Sequence, residues 1–107
     1  METNRVYMEL LLNLSEECAE AIEDAMKGGR FGIDKINPKK GKSSRESLEE
    51  ECGNILAVLE LAIDNGLIDP LNIFEARGVK HDRLRDHIYH ATAEHPRMRR
   101  FRLHTAE

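Results

Sequence analysis

Two short groups of side chains in this sequence have the types and spacing to hold a hard cation. In the first, Glu16-Glu17-Cys18-Ala19-Glu20, three carboxylates interrupt an otherwise apolar stretch. The second, Glu51-Cys52-Gly53-Asn54, repeats the i,i+3 spacing of Glu17 and Glu20 with an oxygen-bearing residue at each end. On a helix each pair projects from one face, and two facing helices then surround a cation such as Mg²⁺ with oxygen ligands. Between Val6 and Met26 the charged residues are Glu9, Glu16, Glu17, Glu20, Glu23 and Asp24, with no Lys or Arg among them. Glu16 with Glu20, and Glu20 with Asp24, are like-charge i,i+4 neighbours that each oppose helix formation by roughly a few tenths of a kcal/mol. A solvated acidic face accounts for one such cluster; two clusters with matched spacing favour a site.

The elements that must position these groups are helical. At about 100° per residue, Asn13, Glu16, Glu17, Glu20 and Asp24 share one arc, and Tyr7, Leu11, Leu14, Cys18, Ala21, Ile22 and Ala25 lie opposite. The pattern predicts a first helix from Asn4 to Met26, stopped by Gly28-Gly29. Gly28 to Lys42 lacks helical periodicity and reads as a basic loop. Ser43-Ser44-Arg45-Glu46 has capping-box spacing and opens a second helix, whose dipole also favours Glu46, Glu49 and Glu50 near its start. That accounts for Glu46 and part of Glu49, and much less well for Glu51 and Asn54. Ile55 to Ile63 is apolar almost all round, so this helix is expected to be central or to pack against a second subunit. Asn65-Gly66 ends it, and Asp69-Pro70 starts a third helix reaching about His90. The expected fold is all-α, an antiparallel bundle of three long helices with a short fourth, and oligomeric. A helical domain over residues 1–91 precedes a basic tail over 92–107, including Pro96 to Arg102, read as solvated.

Charge is segregated along these elements. Lys27 to Arg45 holds seven basic residues against Asp34 alone, whereas from Glu46 to Ala76 every charged residue is acidic. Carboxylate-rich helices joined by a basic loop suit a metal-polyphosphate ligand: the metal takes anionic oxygens and the phosphates take cations. A nucleic-acid groove would place basic side chains on the helices as well, so nucleic acid is not expected. The 107 residues, 40% hydrophobic and 34% charged with a net charge of -4, describe one soluble domain. No apolar run approaches the roughly 20 residues of a membrane span, and Met1-Glu2-Thr3-Asn4 does not begin a signal peptide, which points to the cytoplasm. Cys18 and Cys52 fit no disulfide or zinc pattern and are expected to be reduced core residues.

With these residues in place, the sequence resembles the MazG-like all-α nucleoside triphosphate pyrophosphohydrolases. The family motif, Glu-Glu-x-x-Glu, a gap, then Glu-x-x-Asp, is matched by Glu16-Glu17-Cys18-Ala19-Glu20 and Glu51-Cys52-Gly53-Asn54, with 30 residues between. Arg30-Phe31-Gly32 in the loop and Arg45 to Gly53 around the second element add to the likeness, which covers about Leu10 to Leu84. Asn54 departs from the pattern, where the family has Asp. The resemblance implies hydrolysis of a nucleoside triphosphate to its monophosphate and pyrophosphate, with Mg²⁺, or alternatively Mn²⁺, held by Glu17, Glu20, Glu51 and Asn54. It also implies Glu16 as the group that orients the attacking water, with Glu50 as the alternative. Phosphate contacts are expected from Arg30, Lys42, Arg45, Lys80 and Arg83, and a homodimer or homotetramer is the expected assembly. An Asn at position 54 removes one negative charge from the cage, so the competing expectation is a nucleotide-binding protein without catalysis.

Overall fold

The computed structural model describes residues 2–93. Three helices carry the chain: α1 (Glu2–Phe31), α2 (Ser44–Asp64) and α3 (Pro70–Ala93). Between α1 and α2 lies a small antiparallel hairpin of β1 (Ile36–Asn37) and β2 (Lys42–Ser43), with Ile36 opposite Ser43 and Asn37 opposite Lys42. The chain divides into two compact units, one ending at Ile68 and the other beginning at Asp69. No helix among the described residues is long and apolar enough to cross a membrane. The expected short fourth helix is not found among the described residues, and the basic segment from Pro96 to Arg102 lies outside them.

In the first unit, α1 and α2 pack antiparallel. At one end the Tyr7 hydroxyl donates to the Asn65 carbonyl at 3.1 Å; at the other, Gly28 lies against Ser44. The packed stripe of α1 is Leu10, Leu14, Glu17, Ala21, Asp24 and Gly28, and that of α2 is Ser47, Glu51, Ile55, Val58 and Ala62. Both are built from the three- and four-residue steps of a helix seam. This corrects the expected division of α1 into an acidic face and an opposite apolar face. Glu17 and Asp24 are inside the seam, while Leu11, Ile22 and Ala25 are exposed. Among the described residues only Leu10 and Ala62 are fully buried apolar side chains, so the apolar core of the unit is small. Cys18 is half-buried, and Cys52 is exposed rather than a core residue.

The expected stop at Gly28-Gly29 is also corrected. Each glycine costs a helix interior roughly 1 kcal/mol, yet α1 runs five residues past Met26. At Gly28 a Cβ would stand 2.7 Å from Ile33 Cδ1, so the absence of a side chain lets the chain fold back closely over the helix. The helix ends instead at Gly32, whose amide closes the last turn onto the Gly28 carbonyl at 3.0 Å and whose φ of +103° favours glycine. The loop then forms the hairpin because Asn37-Pro38-Lys39-Lys40-Gly41 is a self-bonded turn. Asn37 Oδ1 accepts from the Lys39 amide at 2.9 Å, the Asn37 carbonyl accepts from Gly41 at 2.8 Å, and Gly41 has φ +72°.

The capping box matches expectation. Ser43 Oγ accepts from the Glu46 amide, and Glu46 Oε1 accepts from the Ser43 amide, both at 3.1 Å. In the second unit, Asp69 Oδ1 accepts from the Leu71 amide at 2.9 Å and caps α3, with Pro70 its first residue. Because Ser43 ends β2 and caps α2 together, Ser43→Ala is expected to lower unfolding stability by about 1 kcal/mol. Urea denaturation followed by circular dichroism checks this, and an unchanged midpoint would mean the junction is held by other contacts.

Candidate metal centre

Midway along the seam, α1 supplies Glu17 and Glu20 from successive turns and α2 supplies Glu51. One carboxylate oxygen from each lies within 4.8 Å of the other two. Oxygens on opposite sides of a Mg²⁺ ion stand roughly 4 Å apart, so small side-chain rotations bring this set onto one cation. Glu51 is the most enclosed of the three, 8% exposed, and its Oε2 is buried with no hydrogen-bond partner. A buried carboxylate oxygen without a partner is costly, and a proton or a cation would offset that cost. The residues therefore fit a hard divalent ion in donor type, number and spacing.

The protein's alternative to a metal is a proton. Hydrogen bonding to Glu17 and then Glu20, followed by desolvation and repulsion from the same two carboxylates, raises the Glu51 pKa from 4.5 to about 7. Asn54, one turn beyond Glu51, donates from Nδ2 to Glu17 Oε2 at 3.1 Å. The amide relieves the carboxylate cluster of part of its repulsion, and rotation about its terminal torsion would turn Oδ1 toward a cation instead. An Asp at this position would add a fourth like charge.

The other expected site residues are distributed around this centre. Glu16 is exposed, lies outside the three-carboxylate cluster, and makes no ion pair among the described residues. Glu50 pairs with Lys42, and that contact lowers its pKa. Arg45 makes a two-pronged contact with Asp34, at 2.7 and 3.2 Å, which lowers the Asp34 pKa. Arg30 is exposed, without an ion pair among the described residues. Lys80 and Arg83 lie on α3 and line a shallow hollow in the second unit with Asn72, Glu75, Ala76 and Val79.

One pair was not anticipated. Asp24 is 2% exposed; its Oδ1 accepts from Lys40 Nζ at 3.1 Å, and its Oδ2 is buried without a partner. The Asp24 carboxylate raises the Lys40 pKa, so the turn of the hairpin is tied to α1 one turn beyond Glu20. The i,i+4 step from Glu20 to Asp24 was visible in the sequence, but the partner on a distant turn was not.

No family model matches the chain, and neither curated proteins nor solved structures offer a significant match.

Since the folded pKa of Glu51 lies above its ordinary value, the folded chain holds a proton that the unfolded chain has released between pH 4.5 and about 7. Stability of the metal-free protein from this group is full below that window and falls as pH rises through it. Glu23, Asp34 and Glu50, whose pKa values are depressed, act in the opposite direction and at lower pH. Thermal unfolding with and without Mg²⁺ across pH 5 to 8 is expected to show a falling metal-free Tm and a growing Mg²⁺ increment. A Mg²⁺ increment independent of pH would contradict a site that includes Glu51.

Proposed function

We propose that the protein is a Mg²⁺-dependent nucleoside triphosphate pyrophosphohydrolase, cleaving between the α and β phosphates to release a monophosphate and pyrophosphate. The observation that carries this reading is the convergence of Glu17, Glu20 and Glu51 across the α1/α2 seam, with a buried Glu51 oxygen left unserved by the protein. The order of these residues along the chain is that of the MazG-like motif. Glu17, Glu20, Glu51 and the side-chain oxygen of Asn54 would hold the ion; Mn²⁺ has the same oxygen preference. When bound, the ion supplies charge neutralisation and polarisation of phosphate oxygens.

The chain's own residues divide the remaining tasks. Glu16, exposed and without an ion-pair partner among the described residues, orients the attacking water and accepts its proton. Glu50 is less suited to that role because Lys42 engages its carboxylate. Arg30 is free to neutralise a phosphate, whereas Lys42 and Arg45 would have to exchange Glu50 and Asp34 for one. Magnesium-dependent release of pyrophosphate from a panel of nucleoside triphosphates tests the activity, and Glu20→Ala is expected to reduce it at least a hundredfold. Release that is equal in the variant, or independent of divalent ion, would refute the assignment.

A second reading is favoured by one observation: Asn54 presents its donor, not its acceptor, to Glu17. On that reading the protein binds nucleotide without turning it over. Asn54→Asp separates the two, since a large gain in turnover identifies a disabled cage and little change identifies Asn as a competent ligand.

We also infer self-association. Met8, Leu11, Leu12, Ile22 and Met26 form an exposed apolar stripe on α1, roughly 150° around the helix from its packed stripe, and Leu56 and Leu61 are exposed on α2. A second copy covers such a face in a homodimer or homotetramer. Ile22→Glu, at a position 64% exposed in one chain, is expected to shift sedimentation toward monomer without unfolding the helices. A wild-type protein that sediments as a monomer at all concentrations would contradict the inference.

A further inference from the structure

The cations of the basic loop fall into two sets. Lys40, Lys42 and Arg45 each have a carboxylate partner, in Asp24, Glu50 and Asp34 respectively. Arg30, Lys35 and Lys39 make no ion pair among the described residues, and all three gather around Phe31. Phe31 stands at the end of α1 with 59% of its surface exposed, and Lys35 Nζ lies 5.6 Å from its ring centroid. Between this ring and the hairpin is a hollow of about 320 Å³, floored by Ile36 and Pro38 and bordered by Lys27, Lys35 and Lys39. On the other flank of Phe31 a smaller hollow of about 190 Å³ is bordered by Arg30 and by Lys27, the latter paired with Glu23 at 2.8 Å.

We propose that the hollow between Phe31 and the β-hairpin seats the base of a single nucleotide, stacked on the Phe31 ring, with the surrounding cations taking its negative charge. The ligand has to be flat and apolar on its faces, because the hollow offers an aromatic ring and aliphatic side chains. It has to be anionic, because Lys35, Lys39 and Arg30 have no carboxylate partner among the described residues, whereas Lys27 is already paired with Glu23 at 2.8 Å. It has to offer a hydrogen-bond acceptor, because Asn37 uses Oδ1 within its own turn and leaves Nδ2 as a donor at the edge. A volume near the lower end for ligand pockets limits the occupant to one base.

The proposal rests on the pyrophosphohydrolase reading for the direction in which the phosphates run. Lys27 lies two turns beyond Glu20 on the same face of α1, about 10 Å along the helix. Phosphates leaving the hollow past Lys27 are thereby directed toward the carboxylate centre. Binding of the base itself needs no metal, which separates the two ideas experimentally.

The test is titration of the full chain with a nucleoside monophosphate in EDTA, followed by amide chemical shifts, with free nucleoside and inorganic phosphate as parallel probes. Shifts centred on Phe31 to Lys39 are expected. Phe31→Leu, which keeps apolar volume and loses the ring, is expected to weaken the monophosphate at least fivefold. Lys35→Gln is expected to weaken the monophosphate and leave the nucleoside unchanged. In turnover, Phe31→Leu is expected to raise KM with kcat nearly preserved. Glu20→Gln is expected to abolish hydrolysis and keep metal-free binding, so a protein that binds monophosphate here without Mg²⁺-dependent turnover would leave this inference standing and refute the enzyme reading. The inference is overturned by equal affinity in wild type and Phe31→Leu, or by shifts confined to residues outside the hollow. It is equally overturned by concentration-dependent burial of Phe31 and Ile36 without ligand, which would assign the face to a second copy of the chain.

Discussion

Repulsion among Glu17, Glu20 and Glu51 is the constraint around which the first unit is built. The seam between α1 and α2 is where the unit buries its few apolar side chains, and the carboxylates occupy its middle rather than its edge. Full ionisation of all three would push the helices apart at the point where they must hold together. The raised pKa of Glu51 expresses the relief available to the protein alone, a retained proton, and the Asn54 amide on Glu17 provides a further share. A divalent cation bound there would relieve the same repulsion more completely. Packing and chemistry therefore compete for the same few ångströms, and the small apolar core on either side leaves little to compensate.

The hairpin complements that acidic seam by distributing its cations unevenly. Lys40 reaches the enclosed Asp24, Lys42 reaches Glu50 and Arg45 reaches Asp34, so these three stabilise the loop against the helices. Arg30, Lys35 and Lys39 are left for something else. The same stretch of chain thus acts as a clasp on one side and leaves cations without carboxylate partners on the other. The self-bonded Asn37 to Gly41 turn holds the two sides in register.

Much of this was legible in the residues alone. The i,i+3 pairs placed Glu17, Glu20, Glu51 and Asn54 on neighbouring helices, and the Ser43 box and the Asp69-Pro70 start located two helix ends to within a residue. Helical periodicity failed for the inward face of α1, because an apolar-versus-charged division assumes that charges face solvent, and Glu17 and Asp24 do not. Gly28 was misread as a stop because its role depends on Ile33 folding back over it, a contact no local rule contains. The hairpin was missed although Asn37-Pro38 and Gly41 carry turn chemistry, since each strand is only two residues long. The partners of Lys40, Lys42 and Arg45 are tertiary and could not be assigned from spacing.

Calorimetric titration of Mg²⁺ into the metal-free protein at pH 7, repeated in two buffers of different ionisation enthalpy, measures the protons released when the ion binds. With Glu51 titrating near pH 7, binding is expected to release a substantial fraction of one proton, and Glu51→Gln is expected to abolish that release. Binding with no proton release in the wild type, or with equal release in the variant, would contradict a cation site at the centre of the α1/α2 seam.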